Sequence, residues 1–144
     1  MVATTTTATS SDDNENNPLS GKIKITERTI PSSIENDDFQ IPIKIFEPHS
    51  STDPRAVVFF IHGGIFVEGN RNSHPTISNA LASQLNLVVV TATFRNGKDA
   101  PHKSNITMRD LQDVVEFSKN EWSNIPFGLV GSSSVSMHFE ENIS

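Results

Sequence analysis

Ala56-Val57-Val58-Phe59-Phe60-Ile61 is apolar at every position and stops at His62-Gly63-Gly64. A strand that is hydrophobic on both faces belongs in the middle of a sheet covered on both sides. Two later runs have the same character: Leu87-Val88-Val89-Val90-Thr91-Ala92, and Phe127-Gly128-Leu129-Val130, which leads into Gly131-Ser132-Ser133-Ser134. Helical patterns separate the three. Ser73 to Leu85 starts with a capping serine and has Pro75 where a first helical turn tolerates it. Ile77, Leu81 and Leu85 lie four apart and predict a core stripe, and Asn86 suits a left-handed stop. Thr107 to Asp110 has capping-box spacing and opens a second helix, with Met108, Leu111, Val115 and Trp122 on one face, Val114 nearby, and Pro126 after its end. Buried strands alternating with amphipathic helices predict an α/β fold whose parallel strands are joined by right-handed crossovers.

Upstream the pattern changes to alternation. Ile23, Ile25 and, with one slip, Ile30 share a face in Lys22 to Ile30; Phe39, Ile41, Ile43 and Ile45 share one in Phe39 to Phe46. These read as an antiparallel pair at the sheet margin, and Pro42 suggests an edge strand because proline has no N–H for a ladder. Residues 1–20, rich in Thr, Ser, Asn and Asp, have little to bury and read as a disordered low-complexity tail. The globular domain is assigned to residues 21–144.

The chain has 144 residues, enough for one modest domain. Its formal charge of −6 argues against a nucleic-acid or anionic-membrane partner, which needs a basic face. The absence of cysteine excludes disulfides, thiolate metal sites and a thiol nucleophile. The five histidines show no zinc-ligand spacing, so no metal is expected. The N-terminus has neither a basic segment nor an apolar core of the signal-peptide kind, and the apolar runs are too short to span a bilayer. The expectation is a soluble, cytoplasmic protein.

Ligands of open parallel sheets bind at the carboxyl ends of the strands. Two clusters fall at such ends, His62-Gly63-Gly64-Ile65-Phe66 and Gly131-Ser132-Ser133-Ser134. Together AVVFFIHGGIFVEG, LVVVTATFR and FGLVGSSS resemble the α/β-hydrolase superfamily, and within it the hormone-sensitive-lipase-like esterase and lipase group. The resemblance runs from about Lys22 to Ser134 and covers the N-terminal portion of that fold. It implies cleavage of small-molecule carboxylic esters through an acyl-serine, with no cofactor. Ser133 corresponds to the nucleophile. The backbone N–H groups of Gly64, Ile65 and Ser134 correspond to the oxyanion hole, with Gly63 shaping the loop. His62 and Gly131 correspond to structural positions of the two motifs, and His62 is not the catalytic base.

The chain departs from the family pattern at three points. Ile65 stands where a third glycine or small residue is usual. Val135 stands where the elbow ends in glycine, and the stretch VSMHFEENIS lacks the small-residue helix pattern expected there. The family's acid and histidine follow later strands, beyond Ser144, and His138 falls about a turn along any elbow helix, away from the pocket mouth. The 144-residue chain is therefore expected to be inactive alone. The alternative is a non-catalytic, hydrolase-like binding protein or a truncated product. An open sheet edge predicts self-association. Arg95 reads as a solvated surface residue, Asp110 and Asp113 as cap and solvated face, and Trp122 as core.

Overall fold

The computed structural model describes residues 6–7, 23–49, 53–62, 75–95 and 104–131. Its strands are β1 (Thr6–Thr7), β2 (Ile23–Pro31), β3 (Gln40–Pro48), β4 (Ala56–Ile61), β5 (Leu87–Ala92) and β6 (Phe127–Gly131). Helix α1 (Pro75–Leu85) joins β4 to β5, and α2 (Ser104–Glu121) joins β5 to β6. The strands form one sheet in the order β1-β2-β3-β5-β4-β6. The ladders β1·β2, β2·β3 and β3·β5 are antiparallel, and β5·β4 and β4·β6 are parallel. The architecture is thus the expected antiparallel margin followed by parallel β-α-β-α-β. Thr6–Thr7, within the stretch read as a tail, pair with Glu27 and Thr26 of β2.

The central strands are apolar, Thr91 apart, because both faces of the sheet are covered. Val57, Phe59 and Ile61 of β4 and Val88, Val90 and Ala92 of β5 share a core with Leu111, Val114 and Val115 of α2. Phe60 of β4 and Val89 of β5 point to the other face, where they meet Phe46 of β3 and Ala82 of α1. The β4-to-β5 and β5-to-β6 connections run in opposite directions across the sheet, and one helix falls on each face.

Three expectations change. The Ile77, Leu81, Leu85 stripe is not the buried face of α1: Ile77 is 45% and Leu85 48% exposed, and the buried residues are Ser78 and Ala82. Small side chains one turn apart bring the helix backbone close to the sheet, while Phe46 and Phe60 supply the bulk from the strands. Leu81 packs at the margin of that contact. Next, β3 is an interior strand, flanked by β2 and β5, although it contains Pro42. The proline is tolerated because it sits at the end of the β3·β5 ladder. Its carbonyl accepts from the Thr93 N–H at 2.8 Å, so its nitrogen also faces the side where β5 has ended and removes no bond to β2. Finally, β2 needs no slip: Ile23 and Ile25 pack on the α1 face, and Ile30 packs on the α2 face.

Asn86 stops α1 in the left-handed conformation, at φ 56°, as its position suggests. Its carbonyl accepts from the Arg55 N–H at 2.8 Å and its Nδ2 donates to the Asp53 carbonyl at 3.0 Å, tying the turn into β5 to the start of β4. Among the described residues no helix is long and apolar enough to cross a membrane.

Candidate active site

The site is built on two neighbouring strand ends. β4 and β6 are parallel, and Ile61 and Gly131 are register partners at their carboxyl ends. The carboxyl ends of β4 and β6 therefore lie side by side at one end of the sheet. Of the site residues read from the sequence, His62 and Gly131 are described, and Gly63, Gly64, Ile65, Ser133 and Ser134 lie outside the described residues. Residues 135–144, including Val135 and His138, lie outside them as well.

His62 is the first residue beyond β4, and it is buried, at 2% exposure. Its ring stacks on Phe94, with centroids 4.5 Å apart and planes 5° from parallel. Phe94 is itself 1% exposed and lies just beyond the carboxyl end of β5, the other neighbour of β4.

Next to Phe94, Arg95 makes the densest polar cluster among the described residues. Its backbone N–H donates to Asp110 Oδ2 at 2.9 Å, its Nε donates to the same oxygen at 3.0 Å, and its Nη2 donates to Asp110 Oδ1 at 2.8 Å. The same Nη2 reaches Asp37 Oδ2 at 2.7 Å and Ser32 Oγ at 3.3 Å. The guanidinium lies 4.2 Å from the centroid of the Phe39 ring, a cation–π contact. Arg95 is therefore no solvated surface residue: its side chain is 16% exposed, and that of Asp110 is fully buried. Asp110 belongs to the second turn of α2, which begins at Ser104, not at Thr107, so it is not the helix cap expected. A buried carboxylate needs a charged partner with good geometry, and the two-pronged guanidinium supplies it.

The electrostatics follow from this packing. The hydrogen bond and charge of Arg95 hold the Asp37 carboxyl below its usual range, against some opposing desolvation. Hydrogen bonds from the two aspartates, Asp110 first, push the Arg95 guanidinium further up, so it stays charged. Asp113 is also buried, at 8% exposure, and its Oδ2 accepts from the Ser33 N–H at 2.9 Å instead of facing solvent. Asp37 Oδ1 accepts from the Phe39 N–H at 3.1 Å. The β2–β3 turn is thus fastened to α2 and to the loop after β5. These three aspartates are occupied in structural bonds. Among the described residues no group of three His, Cys, Asp or Glu side chains is placed to hold a metal ion.

The Arg95 cluster escaped the sequence reading because its members come from three distant stretches. The available signal was an arginine directly after a buried strand, in LVVVTATFR, with two aspartates on the apolar side of the following helix.

A sheet of this order, with an antiparallel margin, parallel central strands and a helix on each face, defines the N-terminal part of an α/β-hydrolase. The carboxylesterase family matches residues 10–98, and the chain belongs to that family. No curated protein matches it. Among solved structures it is similar to brefeldin A esterase, a bacterial homologue of human hormone-sensitive lipase, at 22% identity and TM-score 0.63 over 76% of this chain and 31% of that one. It is also similar to a hyperthermophilic esterase from the archaeon Pyrobaculum calidifontis, at 24% identity and TM-score 0.61 over 76% of this chain and 34% of that one. A bacterial heroin esterase superposes over 89% of this chain and 43% of its own length, at 18% identity and TM-score 0.69. These likenesses establish a shared fold, and the chain spans a third to two-fifths of the length of these esterases.

Proposed function

We propose that this chain carries the nucleophile and oxyanion-binding part of a carboxylic-ester hydrolase that works through an acyl-serine. The observation that supports this reading most is the parallel register of β4 and β6, with Ile61 opposite Gly131, so that the strands preceding the two signature motifs end next to each other. In this reading Ser133 Oγ attacks the ester carbonyl carbon and a base takes its proton. The carbonyl oxygen becomes an oxyanion, which the N–H groups of Gly64, Ile65 and Ser134 stabilise, with Gly63 shaping the loop. The intermediate collapses by expelling the alcohol, and water then hydrolyses the acyl-serine. A serine hydroxyl is a weak nucleophile without a base. Neither signature motif brings the acid or the histidine of such a site, and without a base the 144-residue chain turns over little ester.

The test is covalent labelling with a fluorophosphonate. The expected result is weak labelling of the 144-residue chain, and strong labelling of a longer product of the same gene that carries an acidic residue and a histidine, abolished by Ser133→Ala. Strong labelling that survives Ser133→Ala overturns the assignment of the nucleophile. Val135, in place of the elbow's glycine, favours a second reading, a hydrolase-like protein that binds without catalysis. A longer product that stays unlabelled while binding an ester analogue decides for it. Among the described residues β6 is the last strand of the sheet, with Val130 38% exposed, which supports self-association of the chain in isolation.

A further inference from the structure

The β2–β3 turn and the first half of α2 form the two walls of an open cleft of about 740 Å³. It lies at the end of the sheet where β5 finishes, since Ile43, near the start of β3, pairs with Ala92. Ile34 on the turn and Ile106 and Met108 on the helix line it, all three half-buried. Apolar side chains on facing walls close on each other unless something beneath them sets the spacing. Here two polar ties set it. The Ser33 N–H donates to Asp113 Oδ2 at 2.9 Å. Asp37 reaches the helix through Arg95, whose Nη2 lies 2.7 Å from Asp37 Oδ2 and 2.8 Å from Asp110 Oδ1. The turn is braced internally as well, with the Asp37 N–H on the Ile34 carbonyl at 3.1 Å. The cleft is therefore preformed, and its size falls in the range of roughly 300–1,000 Å³ usual for small-molecule sites.

Its charges are divided between the walls. Glu35 on the turn and Arg109 on the helix are both exposed, and they form no ion pair with each other. The neighbouring aspartates are occupied elsewhere, Asp110 by the Arg95 guanidinium and Asp113 by the Ser33 N–H. A complementary ligand has an apolar body and carries one charge of each sign. We propose that this cleft binds a small zwitterion with an apolar side chain, of the α-amino-acid class, its carboxylate toward Arg109 and its ammonium toward Glu35. The thioether of Met108 adapts to apolar groups of different shape, so the two charges supply most of the selection. The proposal does not rest on the esterase reading.

The test is an NMR titration of the 144-residue chain, following the backbone amides of residues 33–35 and 105–109. The probes are leucine, isocaproate, which lacks the ammonium, and isoamylamine, which lacks the carboxylate. Leucine is expected to shift these amides saturably with a millimolar dissociation constant, and each analogue to bind about fivefold more weakly. Arg109→Gln removes the advantage of leucine over isoamylamine, and Glu35→Gln removes its advantage over isocaproate. Both side chains are exposed, so neither change disturbs the fold. Arg55→Gln, just before β4, removes a charge of the same sign as Arg109 outside the cleft and is expected to leave all three affinities unchanged. The proposal is overturned if leucine shifts no amide saturably, if the analogues match it, or if Arg55→Gln weakens leucine as much as Arg109→Gln does.

Discussion

Helices α1 and α2 cover opposite faces of one sheet by opposite means. α2 presents large side chains, Leu111, Val114 and Val115, and buries two aspartates, Asp110 and Asp113, beside them. α1 presents Ser78 and Ala82 and leaves Ile77 and Leu85 half-exposed. The α2 contact is thick and electrostatically committed, whereas the α1 contact is thin and made close by the lack of side chain. The difference teaches that side-chain size does not identify the buried face of a helix on a sheet. What counts is the fit between the helix and the strands beneath it. Under α1 the strands contribute Phe46 and Phe60, so the helix contributes little.

Three variants probe this contrast, in decreasing order of effect. Arg95→Met strips the charged partner from the fully buried Asp110 carboxylate. It is expected to destabilise the fold by about 3 kcal/mol, read as a lowered urea midpoint. If the loss is under about 1 kcal/mol, the α2 face is not electrostatically committed. On the other face, Ala82→Leu forces bulk into the closest point of the α1 contact, where Ala82 has no exposure. Overpacking of this kind costs about 2 kcal/mol, and a neutral or stabilising result would show spare volume between α1 and the sheet. The smallest effect is expected from Ile77→Ser combined with Leu85→Ser, which should shift the midpoint by no more than about 0.5 kcal/mol in the isolated chain. A larger loss would mean that something covers this stripe.

Much of the fold was legible in the sequence, for a physical reason. Residues 56–61 and 87–92 are apolar where both faces are buried, and Asn86 occupies the left-handed turn that few residues accept, whereas residues 127–130, read as a third buried strand, are half-buried to exposed because β6 ends the sheet among the described residues. The alternation of Ile41, Ile43 and Ile45 reported its face because one side of β3 packs under α2. Legibility failed where two patterns compete. In α1, residues 77, 81 and 85 repeat with the same period as 78 and 82, and periodicity alone ranks the bulkier set first. Pro42 was read by its missing N–H alone, without knowing which side of the strand that N–H would have faced. At the candidate site, the sequence suggests two signature segments at strand ends, and that those two strands are neighbours required the register of β4 against β6. The Arg95 cluster was invisible because a side chain's charge does not announce that partners from a distant turn and the next helix will enclose it.

Strand order has a consequence for how the chain matures. β4 lies between β5 and β6, both of which follow it in the chain. During synthesis from the N-terminus, both hydrogen-bonding edges of AVVFFI stay unsatisfied until much later residues emerge, and its second edge closes only when residues 127–131 arrive. A six-residue apolar segment without charge or proline is a ready template for intermolecular pairing over that interval. The nascent polypeptide thus passes through a window in which chaperone capture competes with aggregation, and the length of that window is set by how slowly a non-local parallel pairing closes.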